Sequence, residues 1–300
     1  MAFRLENEDR DGVRWIRLSN GFRVWTQRLG RGPKKILLLS GGPGLSHDYL
    51  QCFADFLPQA GFEMYFYDQL GCGHSDKPDD ADLWTLPRYL SEVEEVRAAL
   101  GLDRLILVGH SWGGILGIEY ALAYPERLAG FVLSNMTASF ADFGAYMWHL
   151  RNSLPAAVRS RLDALEAAGA AQGGEYGTLI QKELYSQCLC RLDPWPQPVL
   201  ACLTGLNAAI NREMEGPDAF TLTGNLSGWD RWADLPRIRT PTLVIGARHD
   251  EMNPDSIRRE ASLIPGAQLF VSDKGSHLTM WDDQEAYFRA VTNFIDALPA

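Results

Sequence analysis

Residues 105–120 read LILVGHSWGGILGIEY, and this stretch decides the fold. Leu105 to Val108 is a short run of branched apolar residues that ends at a glycine, which is typical of a buried strand in a parallel sheet. The apolar residues after Gly114 recur at helical spacing. The stretch therefore predicts a buried strand, a tight turn and a packed helix in direct succession.

The turn itself, Gly109-His110-Ser111-Trp112-Gly113, matches the pattern G-x-S-x-G in the strand-to-helix context that the pattern requires. A serine on so sharp a turn has a strained backbone, and side chains two residues away on either side would collide with the neighbouring strand and helix. The turn lifts the serine hydroxyl to the carboxyl edge of the sheet, where open α/β folds bind ligands. The pattern predicts a nucleophilic serine; the alternative is a glycine-rich turn with an incidental serine.

The rest of the chain indicates an α/β fold with a mostly parallel central sheet. Asn20-Gly21 predicts an antiparallel hairpin at the start of the sheet. Residues 137–232 contain helical patterns and no clear strand, so we expect a helical cap inserted after the sixth strand, between two parts of the core at 1–136 and 233–300. The predicted strands are 13–18, 22–26, 35–39, 63–67, 105–108, 131–133, 242–245 and 268–271. The predicted helices include 47–57, 179–190 and 199–211.

Two polar residues follow late strands and complete a candidate catalytic set. A serine hydroxyl needs a base whose pKa lies near 7, which only histidine supplies without a large perturbation. His277 follows the last predicted strand, and Asp250 follows the strand before it. The order Ser111, Asp250, His277 is the order of nucleophile, acid and base in this kind of sheet. Asp255 and Glu251 are the rival acids.

The glycine-rich loop 40–44, Ser-Gly-Gly-Pro-Gly, follows another buried strand and is a candidate oxyanion hole. We expect the backbone N–H groups of Gly42 and of Trp112, the residue after the nucleophile, to bind the oxyanion. We also expect Gly41 to contact the substrate. The alternative is a plain tight turn.

Composition narrows the class of function. The chain has 300 residues, of which 46% are hydrophobic, and a net charge of −10, which disfavours nucleic acid and anionic membranes as partners. Five cysteines without paired spacing indicate neither a disulfide framework nor a zinc site, and we expect no metal or other cofactor. The charged N-terminus lacks an apolar signal segment and no apolar run could span a membrane, so we expect a cytoplasmic protein.

Four motifs stand out in the chain: GGPGLSHDYL (41–50), YDQLGCGHSD (67–76), GHSWGG (109–114) and GSHLTMWDD (275–283). They resemble those of the proline iminopeptidases, which are serine aminopeptidases of the α/β-hydrolase fold, and those of the related tricorn-interacting aminopeptidase. The resemblance covers nearly the whole chain. It implies an acyl-enzyme exopeptidase that frees proline or another small or apolar residue from short peptides or amino-acid amides under a helical cap. It also places the triad on Ser111, Asp250 and His277, and the oxyanion donors on Gly42 and Trp112.

The sequence departs from the family where the substrate amine would bind. The family binds the α-amino group with acidic residues, and the acid that follows the triad aspartate is matched by Glu251. A second acid in the cap aligns with Ala219. Asp218, or Glu215 in a shifted register, is expected to replace it.

Three functions therefore remain open. The first is an aminopeptidase or amino-acid amidase, and the second is an esterase or lactonase that has lost amine recognition. The third is a non-catalytic binding protein on a hydrolase scaffold. Haloalkane dehalogenase and epoxide hydrolase activities are disfavoured, because those relatives carry aspartate where this chain has Ser111. The expected partner is a short peptide or small molecule, with no nucleic acid or membrane, and we expect a monomer or small homo-oligomer.

Overall fold

A computed structural model describes residues 11–171 and 174–299. The first ten residues, on which the expected absence of a signal segment rests, lie outside this part of the chain. Within it, the architecture is an eight-stranded sheet covered by helices on both faces.

The strands lie in the order β1-β2-β4-β3-β5-β6-β7-β8. The first two strands form the predicted hairpin, and β2 also pairs antiparallel with β4. All other neighbours pair in parallel, which confirms the mostly parallel sheet. The strands are β1 (Val13–Arg17), β2 (Arg23–Leu29), β3 (Lys35–Leu39), β4 (Glu63–Asp68), β5 (Leu105–His110), β6 (Leu128–Ser134), β7 (Thr242–Ala247) and β8 (Gln268–Ser272).

Helices connect the parallel strands, and a long helical stretch separates β6 from β7. The helices are α1 (Leu86–Ala99), α2 (Trp112–Ala123), α3 (Phe140–Ser153), α4 (Ala156–Ala167), α5 (Gly174–Leu179), α6 (Ser186–Cys188), α7 (Gln197–Thr204), α8 (Ala208–Met214), α9 (Pro254–Leu263), α10 (Thr279–Asp282) and α11 (Gln284–Ala297). We call residues 137–232, which contain α3 to α8, the cap segment.

Two apolar cores lie on opposite faces of the sheet because side chains alternate along each strand. Leu37 of β3 and Leu107 of β5 belong to the core that packs against α1, α2 and α9. Their neighbours Ile36 and Ile106 belong to the other core, which packs against α11 and residues 48–55. Burial on both faces explains why the central strands read as continuous apolar runs.

Three predicted helices differ in detail from the structure. The helix expected at 47–57 is a 3-10 helix at Asp48–Asp55. The helix expected at 199–211 is broken into α7 and α8, because the Asn207 side chain caps the start of α8 by accepting the N–H groups of Ala209 and Ile210. The helix expected at 179–190 contains one π-helical segment, Ile180–Tyr185.

Within residues 11–171 and 174–299, the helices are all too short or too polar to cross a bilayer. The cysteines are free thiols, and every one is buried: Cys52, Cys72, Cys188, Cys190 and Cys202.

Replacing Gly113 by alanine tests how closely α2 must approach the sheet. A Cβ at this position would lie 2.2 Å from the Leu39 carbonyl oxygen. Because the carbonyl oxygen is backbone and the Cβ is fixed rigidly to the backbone of α2, β3 and α2 would have to move apart. We expect a loss of about 2 to 3 kcal/mol in the free energy of unfolding, read from urea denaturation midpoints.

The matched control is Gly177→Ala in α5, where no atom lies within 4 Å of the added Cβ. Alanine favours helix over glycine by up to about 1 kcal/mol, so this variant should be unchanged or more stable. Equal midpoints for Gly113→Ala and the parent protein would contradict the requirement for clearance.

Candidate active site

Ser111 occupies a strained turn between β5 and α2. Its backbone has φ 56° and ψ −125°, in the left-handed region that side chains rarely adopt. The Ser111 N–H donates to the Ser134 carbonyl at 3.0 Å, which ties the turn to the end of β6. Gly109 and Gly113 give the clearance, since a Cβ on Gly109 would lie 2.2 Å from the Gly113 carbonyl oxygen. The sharp elbow expected from the sequence is present.

The predicted acid and base lie together beyond the ends of β7 and β8. His277 Nδ1 is 2.9 Å from Asp250 Oδ1, and both side chains are buried. The Met252 N–H donates to the same oxygen at 3.0 Å. Ser111 and His277 line one cavity. Asp255, the rival acid, lies at the start of α9 with a side chain 89% exposed and paired to Arg258.

Asn135 is a member of this site that the sequence analysis missed. Its Nδ2 donates to Asp250 Oδ2 at 2.6 Å and to Thr279 Oγ1 at 3.1 Å. Its φ of 52° directs the residue out of β6 toward the acid. The available signal was its position, since Asn135 is a polar residue directly after a buried strand. With both oxygens of Asp250 engaged, the carboxylate is fixed and presented to the histidine ring.

A hydrogen-bonded brace connects the glycine loop to the histidine loop. The Gly41 N–H donates to Tyr49 Oη at 2.7 Å, and Tyr49 Oη lies 2.8 Å from His110 Nδ1. His110 Nε2 lies 2.9 Å from the His277 carbonyl oxygen. The His277 carbonyl can only accept, so His110 Nε2 carries a hydrogen and donates to it; in the neutral ring, Nδ1 then accepts the hydroxyl hydrogen of Tyr49. Burial and the nearby His277 lower the pKa of His110 well below its ordinary value, which agrees with this order.

The loop after β4 supports the glycine loop and the elbow. Gln69 accepts the Trp112 indole N–H at 2.9 Å and donates to the Ser40 carbonyl at 3.3 Å. Asp68 Oδ1 lies 2.9 Å from His47 Nδ1, and Asp68 also accepts the His74 N–H at 2.9 Å. These contacts give the Asp-Gln pair a positioning role beside the cavity.

The cap segment is bonded to both sides of the site. The His277 N–H donates to the Cys188 carbonyl at 2.8 Å, and the Leu278 N–H donates to the Leu189 carbonyl at 2.8 Å. On the other side, the Asn207 N–H donates to the Gly44 carbonyl at 3.0 Å. Movement of the cap segment is therefore coupled to the positions of both loops.

The cavity beneath the cap segment has a volume of about 250 Å³. Gly41, Gly42, Ser111 and Trp112 lie in its wall beside His277. The other walls are largely apolar and come from the core and from the cap segment. They include Ile115, Met136, Phe140, Phe143, Met147, Leu189, Val199, Leu203, Leu206 and Leu226.

Three acidic residues also line this cavity. Glu251 is buried, and its Oε1 lies 3.4 Å from His277 Nε2. Glu215 Oε2 accepts the Asn211 side-chain N–H at 2.6 Å. Asp218 Oδ1 accepts the N–H groups of Phe220 and Thr221, both at 2.9 Å. Ala219, the aligned position of the family's second acid, lies in the same wall.

Burial governs the charge of these acids. Burial raises the pKa of Glu215 to about 7; the nearby Glu251 adds to this rise, while the hydrogen bond from Asn211 opposes it. Burial also raises the pKa of Glu251, although the neighbouring His277 favours its charged form. Among the described residues that line the cavity there is no lysine or arginine. Two carboxyl groups thus face a cavity whose described lining offers Glu215 a neutral hydrogen-bond donor, Asn211, and offers Glu251 the His277 ring, but no lysine or arginine.

Metal binding has no evident site in the described part of the chain, where no group of three His, Cys, Asp or Glu side chains could hold a metal ion.

Comparisons with known proteins identify the family of the chain. The model of the alpha/beta hydrolase fold family matches residues 34–284. Proline iminopeptidase of Flavobacterium johnsoniae is 39% identical over 279 residues, 92% of this chain and 94% of that protein. Proline iminopeptidase of Chitinophaga pinensis is 40% identical over 280 residues, covering 91% of this chain and 94% of that protein.

Solved structures similar to this chain include another proline iminopeptidase. The structure of VinJ matches 99% of both chains at 30% identity with a TM-score of 0.88. Proline iminopeptidase of Mycobacterium smegmatis matches 98% of both chains at 30% identity with a TM-score of 0.84. The esterase of Exiguobacterium antarcticum, at 17% identity and a TM-score of 0.65, shares the fold alone. The chain belongs to the proline iminopeptidase family of α/β-hydrolase fold enzymes.

Proposed function

We propose that this enzyme releases a small or apolar N-terminal residue, such as proline, from short peptides or amino-acid amides through an acyl-enzyme on Ser111. The observation that carries the proposal is the meeting of two features in one cavity. The strained Ser111 and His277, which is bonded to Asp250, lie in its wall. The carboxyl groups of Glu251 and Glu215 lie beside them, with no lysine or arginine among the described lining residues. The first feature suits acyl transfer, and the second suits a substrate with a free ammonium group.

In the proposed reaction, His277 Nε2 takes the proton of the Ser111 hydroxyl as Oγ attacks the scissile carbonyl carbon. Asp250 holds the ring in the tautomer with hydrogen on Nδ1 and stabilises the imidazolium. The N–H groups of Gly42 and Trp112 receive the oxyanion. Trp112 is the first residue of α2, so its N–H has no partner within the helix and the helix dipole favours negative charge there. His277 then protonates the leaving amine, and water releases the acyl group.

We propose that Glu251 and Glu215 bind the substrate amine. Their position fixes which carbonyl meets Ser111, because the ammonium of an N-terminal residue is two bonds from its own carbonyl carbon. Asp218 was the other candidate, and its Oδ1 already serves two backbone N–H groups. Glu215 is therefore the better replacement for the acid that Ala219 lacks. The apolar walls suit a residue such as proline, and the proposed cap (137–232) limits the size of the substrate.

Two further expectations accompany this proposal. Five buried thiols without a disulfide suit a reducing compartment, which supports a cytoplasmic location. We retain a monomer or small homo-oligomer as the expected assembly.

The choice of acid is tested by comparing Asp250→Asn with Asp255→Asn. Asparagine at 250 has only one acceptor oxygen; when that oxygen accepts the Asn135 side-chain N–H, the amide NH₂ faces Nδ1, donates to it and favours the wrong histidine tautomer. We therefore expect kcat to fall on the order of 10³ to 10⁴-fold. Asp255→Asn should change kcat by less than about twofold, because an exposed ion pair contributes little. Rates on L-proline and L-alanine arylamides give the comparison. A larger effect at Asp255 would show that the acid is misassigned.

The amine site is tested by Glu215→Gln, with Asp218→Asn as its matched control. Losing one partner of a buried charge pair costs about 2 to 4 kcal/mol, so kcat/KM on L-proline arylamide should fall at least about thirtyfold for Glu215→Gln. Asp218→Asn should have a small effect, since an amide oxygen still accepts both N–H groups. Rates on the N-acetylated ester of the same residue should not fall for Glu215→Gln.

Equal rates on free-amine and N-acetylated substrates in the parent enzyme would favour the alternative, an esterase or lactonase. The mostly apolar cavity and Ala219 are the observations on which that alternative rests.

A further inference from the structure

Glu251, the proposed amine ligand, also contacts the proposed base. Its Oε1 lies 3.4 Å from His277 Nε2, while Nδ1 of the same ring is bonded to Asp250. The side chains of His277, Asp250 and Glu251 are 4%, 0% and 12% exposed, so water screens these charges weakly. Nε2 is the nitrogen that must accept the Ser111 proton. In the absence of substrate, the Glu251 carboxyl group therefore lies against Nε2, the nitrogen that has to accept the Ser111 proton.

The surroundings of His277 favour its protonated form. Asp250 and Glu251 face its two nitrogens, and Glu215 adds a third nearby carboxyl group. His110, with its ring centre 4.7 Å away, is neutral in the brace described above. Although burial lowers the pKa of His277, the carboxylates of Glu251 and Asp250 raise it to about 9. At neutral pH most of the free enzyme then carries a proton on His277 Nε2, which has to be unprotonated to accept the Ser111 proton.

We propose that Glu251 keeps His277 protonated and inactive until the ammonium group of the substrate binds to Glu251. This inference rests on the proposed function, since it requires an ammonium-bearing substrate. The incoming ammonium pairs with the Glu251 carboxylate and lies close to the imidazolium. The repulsion between the two cations expels the Nε2 proton to solvent, so one cation enters the site and one proton leaves. The neutral ring then accepts the Ser111 proton.

In this mechanism Glu251 favours substrates with an ammonium group twice, first when they bind and again in the rate at which they are attacked. A ligand with no ammonium group leaves the base protonated, so it is attacked slowly even when it fits the cavity. The sign of the pH dependence follows from the same step. Because the neutral ring is the active form, activity is lost as pH falls below the pKa of His277. That loss should begin near pH 9 for substrates without an amine and at lower pH for the turnover of bound free-amine substrates.

The test compares Glu251→Gln and the parent enzyme on two aryl esters at pH 7. L-Alanine ester carries the ammonium group, and propionate ester is the same acyl group without it. On the alanine ester, kcat/KM should fall at least about tenfold in Glu251→Gln. On the propionate ester it should rise about tenfold or more, because removing the carboxylate lowers the pKa of His277 toward its ordinary value near 6.5. Glu285→Gln, at an exposed glutamate of α11, is the matched control.

A fall or no change on the propionate ester in Glu251→Gln would overturn the inference. Titration of Ser111 with a fluorophosphonate corrects every rate for the fraction of folded enzyme. A second measurement uses the parent enzyme alone, so it does not depend on the folding of a variant. Methylammonium added to the propionate ester should accelerate its hydrolysis severalfold at pH 7, and inhibition or no effect would also overturn the inference. Failure of the parent to hydrolyse either ester would instead overturn the proposed function.

Discussion

The backbone of Ser111 is the constraint on which the rest of the site depends. Its φ of 56° and ψ of −125° place it in a region that costs about 1 to 3 kcal/mol for a residue with a side chain. The cost is tolerated because Gly109 and Gly113 let α2 approach β3 at backbone contact distance. That approach places Ser111 at the carboxyl edge of the sheet, where it lines the cavity together with Trp112, the first residue of α2. The buried parallel strands hold this geometry rigid.

The electrostatics of the cavity form a second constraint. Asp250, Glu251 and Glu215 converge on His277, and no lysine or arginine lies among the described residues of the cavity wall. Such a site is incomplete without a positively charged ligand, because buried carboxylates are costly unless they are paired. A free N-terminal ammonium group would supply the missing charge. The same charge would also restore the neutral form of the base, so binding and activation would be one event.

Much of the fold and part of the site were predictable from the sequence. Apolar runs such as 35–39 and 105–108 gave strands, because both faces of these strands are buried. The pair of Asp250 and His277 was predictable because each follows a strand that ends at the same edge. Asn135, Tyr49 and His110 were not predictable as partners, because their hydrogen bonds join residues that only the folded chain brings together. Glu215 could be preferred to Asp218 as the proposed second amine ligand only when the structure showed that Asp218 accepts the backbone N–H groups of Phe220 and Thr221.

The most direct test of the central claim is to trap the acyl-enzyme. The enzyme is mixed with the p-nitrophenyl ester of L-proline, quenched in acid, and analysed by intact mass and peptide mapping. The proposed mechanism predicts one prolyl group on the peptide that contains Ser111, much less adduct with the N-acetylated ester, and none with Ser111→Ala. Rapid turnover with the acyl group on another residue, or equal labelling by the free and N-acetylated esters, would contradict it.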